Sequence, residues 1–288
     1  MNTEPAAPAR PAFGRSLAYT LIYLALIAWS GLSLFSLFWV LFSSFKTNRE
    51  LFADVWALPA SLQWDNYVSA WQTTHMDRFF LNSVAVSAAA VLLTAGLAAM
   101  SSYVLARFSF LGRRPILVAL LAGLAIPLQL ITIPLFLLFT RWRLINSLPA
   151  LTLVYVAISL PFSVFVLTGF FRSLPRELEE VAVLDGANEY QIFWQVMLPL
   201  VRPGLFTVSI FNFLNIWNEY LLALMLLSKP ENMTVPMGLY ALRVTQGAAA
   251  DWVSMIAGLV IVLTPTFLFF LVFQNRIAGG LTAGALKG

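Results

Sequence analysis

The side chains best suited to specific polar contacts are crowded into one short segment of the chain. Five acidic residues fall within thirteen positions, at Glu177, Glu179, Glu180, Asp185 and Glu189. Only 10% of all residues are charged, and long apolar runs flank this segment on both sides. Because charges are costly to bury, the segment must stand in water. A contact with a soluble partner is the best reason for so apolar a chain to expose it.

Other kinds of chemistry lack the residues they would need. Cysteine is absent, which excludes disulfides, thiolate metal sites and cysteine nucleophiles. His75 is the single histidine, so no imidazole cluster can form for zinc or for a catalytic triad. The sequence also has no Gly-rich loop ending in Lys and Ser or Thr to hold a nucleotide phosphate. We therefore predict that the chain is not an enzyme and binds no metal or cofactor of its own.

A second polar group lies inside an apolar run, at Asn212, Asn215, Asn218 and Glu219, with Trp217 beside them. Helical offsets of three and four residues place Asn212, Asn215 and Glu219 on one stripe. Polar residues within membrane spans usually face an interior or a cavity, so these side chains could line a substrate pathway. Amide and carboxylate groups beside an indole would suit a sugar. The alternative is a polar clasp between helices, worth about 1 kcal/mol or less.

The composition places both groups in a membrane protein. The chain of 288 residues is 60% hydrophobic, with a mean hydropathy of +0.84. Several apolar runs reach the ~20 residues that a helix needs to cross a bilayer. They are residues 17–45, 81–106, 115–140, 148–171, 203–227 and 252–273. Continuous runs such as 118–126 do not alternate as barrel strands do, so the predicted fold class is an all-α integral membrane protein with six transmembrane helices.

The distribution of Lys and Arg outside these runs predicts the orientation. With the N-terminus in the cytoplasm, ten basic residues fall on the inner side and seven on the outer side. The connection 107–114 is the most decisive, because it carries three arginines and no acid. Residues 1–16 are rich in Pro and Ala and read as a disordered cytoplasmic tail. No basic patch in a soluble domain is evident, so no nucleic-acid partner is predicted.

The first part of the acidic segment reads as a short helix. Ser173 can cap it, and Pro175 suits its first turn. The spacing predicts one apolar and one acidic face. The apolar face would hold Leu174, Leu178, Val181 and Ala182, and the acidic face Glu177, Glu179 and Glu180. Helices that merely lie on membranes prefer Lys and Arg on their polar face, so the acidic face argues for protein contact.

A second short helix is expected directly after the first. Asp185 and Gly186 would end the first helix, since glycine readily adopts the left-handed terminal conformation. Asn188 followed by Gln191 is typical of a capping pair, and Pro199 would end the second helix. The sequence thus predicts two helices at an angle at the cytoplasmic face of the membrane.

A spaced motif runs through these helices: Glu180-Val181-Ala182, three residues, Gly186, nine residues, then Val196-Met197-Leu198-Pro199. It resembles the EAA loop in permease subunits of binding-protein-dependent ABC importers. The family form has Ala where this chain has Val181 and Ile where it has Val196, and both are mild apolar exchanges. The ending 279–288 is similar to the tail of permeases of the maltose-transporter second-subunit type. The resemblance to this carbohydrate-uptake branch covers all 288 residues.

The resemblance implies an organisation for the chain. Residues 17–276 would form the transmembrane domain, with the coupling loop 173–200 between the fourth and fifth helices and a cytoplasmic C-terminal tail over 277–288. The residues implied in coupling to the ATPase are Glu179, Glu180, Ala182, Asp185, Gly186, Ala187, Leu198 and Pro199. Those implied in the tail at the ATPase interface are Leu281, Thr282, Ala283, Gly284 and Lys287. The protein would lie in the bacterial cell (inner) membrane, multi-pass, with both termini cytoplasmic.

The resemblance also implies partners and a function. The partners would be a second homologous permease subunit, two cytoplasmic ATPase subunits, an extracytoplasmic sugar-binding protein and membrane lipid. ATP and Mg would bind to the ATPase, and the outer loop 228–251 would touch the loaded binding protein. The implied function is ATP-driven uptake of a sugar or oligosaccharide. Alternatives are a permease for a polyol or a sugar-phosphate ester, or a secondary transporter, although no inverted repeat is evident.

Overall fold

The structure is a computed structural model that describes residues 12–73, 75–246 and 251–285. Throughout these residues the regular elements are helices, which confirms the predicted all-α fold class. The chain divides into two compact units. The first comprises Met1–Tyr67 with Asp251–Val260, and the second Val68–Ala250 with Ile261–Gly288.

The helices have the following bounds in chain order. They are α1 (Ala12–Ser43), α2 (Asn48–Ala53), α3 (Asp65–Thr73), α4 (Met76–Arg107), α5 (Arg113–Leu124), α6 (Leu128–Arg141), α7 (Leu148–Ser173), α8 (Glu177–Leu184), α9 (Glu189–Gln191), a π-helix (Ile192–Met197), α10 (Leu198–Leu200), α11 (Arg202–Trp217), α12 (Leu221–Leu226), a 3-10 turn (Pro230–Asn232), α13 (Val235–Gln246) and α14 (Trp252–Ala285).

The first unit is built around α1 and α2. None of the most apolar stretch of α1 is buried within the chain. Thr47 and Glu50 form a capping box at the start of α2, in which the Thr47 N–H donates to Glu50 Oε2 at 2.7 Å. This backbone hydrogen bond lowers the pKa of the Glu50 carboxyl. Asn48 Nδ2 donates to Asp251 Oδ1 at 2.8 Å, which fixes α2 to the segment preceding α14.

Both ends of the chain contain more helix than the sequence predicts. Residues 12–16, expected to be disordered, belong to α1. At the other end, α14 continues past the predicted span 252–273 into the tail, as far as Ala285. The Ala and Leu residues of the tail are good helix formers and no proline follows Pro265.

The centre of the second unit is the pairing of α4 with α7. Small residues on one face of α4 are buried, among them Ala90, Thr94, Ala98 and Ser102. Small side chains let membrane helices approach closely, and the Ser102 hydroxyl donates to the backbone oxygen of Val164 at 3.2 Å. The ends of these two helices carry the acidic segment.

The predicted third span, residues 115–140, is broken into two helices. Helices α5 and α6 meet at an angle of 102°. Pro127 occupies the junction with an extended backbone. Proline disfavours helical conformation in the residue before it and lacks an N–H of its own, so Pro127 makes a helix break at this point inexpensive.

The predicted fifth span, residues 203–227, is also interrupted. Helix α11 ends at Trp217, and α12 begins only at Leu221. The chain turns sharply before α11 as well, since the segment Glu189–Leu200 meets Arg202–Trp217 at 70°. The prediction that Glu219 continues the helical stripe of Asn212 and Asn215 is therefore wrong, because residue 219 lies in the irregular stretch between two helices.

The number of spans depends on how these bent pairs are counted. Among the described residues, four helices are long and apolar enough to cross a membrane. They are Tyr19–Ser43, Met76–Arg107, Leu148–Ser173 and Trp252–Gln274. Counting each of the two bent pairs as one span raises the number to six, as predicted, but the second pair includes Glu189–Leu200 and so does not coincide with the predicted span 203–227.

At the end of the second unit away from α8, Asn146 joins two loops. Its Oδ1 accepts from the N–H of Lys229 at 2.9 Å, and its own N–H donates to the backbone oxygen of Leu226 at 2.8 Å. Asn82 adds a further connection, donating to the backbone oxygen of Glu231 at 3.0 Å. The loop around the 3-10 turn is therefore held against the ends of α4 and α6.

Candidate functional site

The acidic segment begins one turn later than predicted. Helix α8 starts at Glu177, and no side chain caps its first turn. Ser173, predicted to be the cap, belongs instead to the last turn of α7, where its hydroxyl donates to the backbone oxygen of Phe170 at 2.9 Å. The apolar run of α7 continues far enough to include Ser173, and Pro175 then separates the two helices.

The two faces of α8 differ from the prediction. Leu178, Val181 and Leu184 are exposed by 36%, 57% and 85%, although the sequence predicts that Leu178 and Val181 share one apolar face with Ala182. Ala182 is indeed buried. Glu179, predicted to lie on the acidic face opposite the apolar one, turns inward with Ala182. The helix thus presents apolar side chains to its surroundings, with the exposed acids Glu177, Glu180 and Asp185 beside them.

Glu179 turns inward because an arginine meets it there. Arg107, the last residue of α4, places Nε 3.4 Å from Glu179 Oε2. The Arg107 side chain is only 7% exposed and that of Glu179 19% exposed. A nearby opposite charge offsets the cost of burying each group. From the sequence Arg107 indicates only membrane orientation, and its position at the end of a predicted span is the one local clue to this contact.

The link between α8 and α9 follows the prediction. Gly186 adopts a left-handed conformation with φ of +82°. The N–H of Gly186 donates to the oxygen of Val183, and that of Ala187 to the oxygen of Ala182, both at 3.0 Å. These bonds satisfy carbonyl groups at the end of α8, as expected for a glycine-terminated helix. Asp185 and Gly186 are exposed, and Ala187 is half-buried.

The second helix starts as predicted but does not end at Pro199. Asn188 and Gln191 form a capping box, with the Gln191 N–H donating to Asn188 Oδ1 at 3.0 Å. The chain then widens into a π-helix and continues through half-buried Leu198 and Pro199 to Leu200. We attribute this continuation to the π-helix, since the locally altered register accommodates a residue that has no N–H.

An apolar pocket of about 280 Å³ lies beside the second helix. It is lined by the end of α4 and by the π-helix, including Tyr103, Phe193 and Trp194. Glu189 is the single acid in its lining. Few polar groups converge on this space, so it is unlike a site that recognises the hydroxyl groups of a sugar.

The polar residues of α11 divide into buried and exposed members. Asn212 is 2% exposed, and its Nδ2 donates to Ser163 Oγ on α7 at 2.9 Å. Asn215 is exposed. The side chain of Asn212 therefore makes the inter-helix clasp that the sequence offers as an alternative, while Asn215 remains accessible from outside the chain.

The residues after Asn215 surround the break between α11 and α12. Trp217 is 2% exposed, and its Nε1 donates to the backbone oxygen of Val262 at 3.2 Å. Asn218 is exposed, and its Nδ2 donates to the backbone oxygen of Leu214 at 2.7 Å. Glu219 is half-buried and accepts hydrogen bonds from the N–H groups of Leu222 and Ala223. The structure therefore brings the predicted group together, but leaves only Asn215 and Asn218 exposed.

The tail residues predicted to contact the ATPase lie at the end of the described part of the chain. Leu281, Thr282, Ala283 and Gly284 belong to the last turns of α14. Lys287 lies outside the described residues.

Comparison with known proteins shows which protein family the chain belongs to. The model of the family described as "Binding-protein-dependent transport system inner membrane component" matches residues 91–278, which include α8 and the polar end of α11. The chain belongs to this family. Its members are permease subunits of transport systems, so the protein is a membrane transport component and not an enzyme.

Individual relatives agree with this assignment. The chain is 42% identical to the diacetylchitobiose uptake system permease protein NgcG of Streptomyces coelicolor, over 91% of this chain and 87% of the relative. It is 35% identical to the sulfoquinovosyl glycerol transport system permease protein SmoH of Agrobacterium fabrum, over 100% of both chains. A chain of a crystallised bacterial ABC transporter that imports alginate has the same fold, with a TM-score of 0.79 at 20% identity, covering 93% of this chain and 99% of that one.

Proposed function

We propose that this protein is a permease subunit of an ABC importer that takes up a sugar or oligosaccharide. The solute would arrive on an extracytoplasmic binding protein, and ATP with Mg would be bound and hydrolysed on two separate cytoplasmic ATPase subunits. The names of the relatives support the substrate class, since they concern diacetylchitobiose and sulfoquinovosyl glycerol. A further relative, 32% identical over 90% of this chain and 94% of its own length, is the trehalose transport system permease protein SugB of Mycobacterium tuberculosis. The chain would lie in the bacterial inner membrane with both termini in the cytoplasm.

The outward face of α8 is the observation that carries this proposal. Leu184 is 85% exposed and Val181 57% exposed, while Glu180 and Asp185 stand in water beside them. Exposed apolar side chains rimmed by charge are typical of a protein contact. We assign the ATPase contact to this face, with Gly186 and Ala187 shaping its edge and with Leu198 and Pro199 carrying the chain back toward α11.

We assign the remaining partners to surfaces that are not buried within the chain. None of the most apolar stretch of α1 is buried in its own chain, which supports a second permease subunit and membrane lipid as its neighbours. The loop held by Asn146 and Asn82 would meet the binding protein. The tail residues 281–284 and Lys287 would approach the ATPase interface.

For the substrate pathway, we assign different roles to the exposed and to the buried members of the predicted polar group on α11 and after it. Asn215 and Asn218 are exposed and would contact the solute, alone or together with the partner permease. Asn212, Trp217 and Glu219 would hold the wall of the pathway, because their polar atoms already have partners on neighbouring elements. Polyols and sugar-phosphate esters present similar hydroxyl groups and are the alternative solutes.

The substitution Leu184→Asp tests the ATPase contact. Leu184 touches little of its own chain, so insertion and folding should be normal, whereas a carboxylate in an apolar interface should cost about 2 kcal/mol or more of binding. The ATPase subunits should be lost from the purified complex, and uptake of diacetylchitobiose or trehalose into proteoliposomes should stop.

Leu111→Asp is the matched control, because Leu111 is fully exposed but lies in the connection between α4 and α5. This variant should retain the ATPase subunits. Wild-type uptake by Leu184→Asp would exclude this face as the coupling contact. Uptake that proceeds without any ATPase would instead support a secondary transporter.

A further inference from the structure

One guanidinium group contacts three helix ends in the second unit. Arg107 is the last residue of α4, and its Nη2 donates to the backbone oxygen of Leu174, which directly follows α7, at 2.9 Å. Its Nε lies 3.4 Å from Glu179 Oε2 in α8. The ends of α4, α7 and α8 are therefore joined through a single side chain that is 7% exposed.

Apart from this ion pair, α8 packs mainly against the π-helix (Ile192–Met197). Its larger apolar side chains at positions 178, 181 and 184 face outward, and Ala182 is its buried residue. Glu179 Oε1 is buried without a hydrogen-bond partner among the described residues. The carboxylate thus depends on Arg107 for compensation of its charge, and loss of either partner would leave a buried charge unpaired.

The end of α4 is itself fixed. Arg113 Nε donates to the backbone oxygen of Leu105 at 2.9 Å, which satisfies a carbonyl group at the end of α4. The Tyr103 ring, one turn before Arg107, packs on Phe171 of α7 and Phe193 of the π-helix with centroids 5.5 and 5.2 Å away. Arg107 therefore extends from an end of α4 that is packed against α7 and the π-helix, and it connects α8 to α4 and α7.

We propose that Arg107 and Glu179 are positioning residues that make α8 move as one body with α4 and α7 during transport. Glu179 acts through Arg107 and does not itself contact the ATPase. This inference rests on the proposed function, since it concerns how movement of α8 reaches the membrane helices. A docking helix that could swing freely would respond to the ATPase without shifting the transmembrane core.

Charge reversal in proteoliposomes tests the pair. The assay measures the amount of diacetylchitobiose imported per ATP hydrolysed by the complete transporter. Arg107→Glu and Glu179→Arg should each lose most of this ratio, because each brings two like charges together in a partly buried contact. The double variant should restore much of it, and Arg107→Lys, which keeps the charge, should fall between wild type and Arg107→Glu.

The control is Arg172→Gln, because Arg172 is an exposed arginine in the last turn of α7. It should keep the wild-type ratio. If the single charge reversals reduce only the yield of complex and leave the ratio per assembled complex unchanged, the positioning role is excluded. Failure of the wild type to import the sugar, or absence of ATPase from the complex, would count against the proposed function and not against the pair.

Cross-linking separates a permanent connection from one that opens. The chain has no cysteine, so cysteines at 107 and 179 would be its only thiols. A short homobifunctional thiosulfonate linker would replace the ion pair with a covalent bridge. Linked complexes should import more sugar per ATP than the same complexes before linking. Loss of import on linking, reversed by reductant, would mean that α8 separates from α4 and would overturn the proposal.

Discussion

At the scale of single residues, polar groups within the apolar helices are mostly engaged with their own chain. Glu219 accepts from the Tyr155 hydroxyl and the Leu222 N–H, each at 2.7 Å, and from the Ala223 N–H at 3.1 Å. A half-buried carboxylate with three donors is stable where it stands and caps the first turn of α12. These hydrogen bonds fix the bend between α11 and α12.

The contrast between Asn212 and Asn215 leads to a prediction at this scale. Asn212→Leu removes one inter-helix hydrogen bond, and such bonds contribute about 0.6 kcal/mol on average in membrane proteins. We expect a small fall in the thermal unfolding midpoint of the complex with normal sugar uptake per assembled complex. Ser163 retains a partner in this variant, because its hydroxyl donates to the backbone oxygen of Ser159 at 2.9 Å.

Asn215→Leu should give the opposite result. Its side chain is exposed, so stability should change little, while a raised half-saturating sugar concentration or a lower maximal rate should appear in uptake assays. If Asn215→Leu transports normally and Asn212→Leu does not, the two residues have the reverse of the roles assigned here.

At the scale of elements, local signals in the sequence were sufficient for some features. The left-handed Gly186 and the capping box of Asn188 and Gln191 depend on residues within one turn of each other, and both are confirmed. The inward turn of Glu179 depends instead on Arg107, which belongs to a distant helix. Helical periodicity alone could not reveal it, because the period describes which side chains share a face and not what that face meets.

The positions at which the predicted spans break likewise cannot be predicted from local sequence alone. Prolines within the apolar runs indicate places where a helix can bend. Whether a helix kinks gently or turns by 102°, as α5 and α6 do around Pro127, depends on the packing of both halves against neighbouring helices. Pro265, by contrast, lies inside α14 without ending it. A proline in an apolar run is therefore followed by a sharp turn at Pro127 and by a continuous helix at Pro265, and we attribute the difference to tertiary packing.

The close approach of α7 and α11 gives a prediction for the elements. A Cβ at Gly204, near the start of α11, would lie 2.7 Å from ring atoms of Phe170 on α7. Gly204→Ala should therefore lower the stability of the complex by about 1–3 kcal/mol, the usual cost of overpacking. The measurement is the thermal unfolding midpoint of the complex in detergent.

Gly169→Ala is the matched control, because nothing lies within 4 Å of the position that its Cβ would occupy. It should leave the midpoint unchanged or raise it. Adding Phe170→Leu to Gly204→Ala should recover part of the loss. An unchanged midpoint for Gly204→Ala would mean that the helices can separate at no cost.

At the scale of the whole molecule, the membrane orientation connects every functional assignment. Helix α8 follows α7 at the end of the second unit that also contains the α4–α5 connection, and the loop held by Asn146 lies at the other end. The ATPase and binding-protein contacts therefore require opposite sides of the membrane. The arginines at 107, 113 and 114 predict that the α8 end faces the cytoplasm.

Labelling of single cysteines tests this orientation directly. The natural chain has no cysteine, so Leu111→Cys and Glu231→Cys each introduce one thiol without any background. Both positions are exposed and lie in connections rather than in spans. A membrane-impermeant maleimide should label the cysteine at 231 in intact spheroplasts and the cysteine at 111 only after the membrane is permeabilised. The reverse pattern would place α8 outside the cell, where no ATPase could reach it, and would exclude both the coupling face and the sense of transport proposed here.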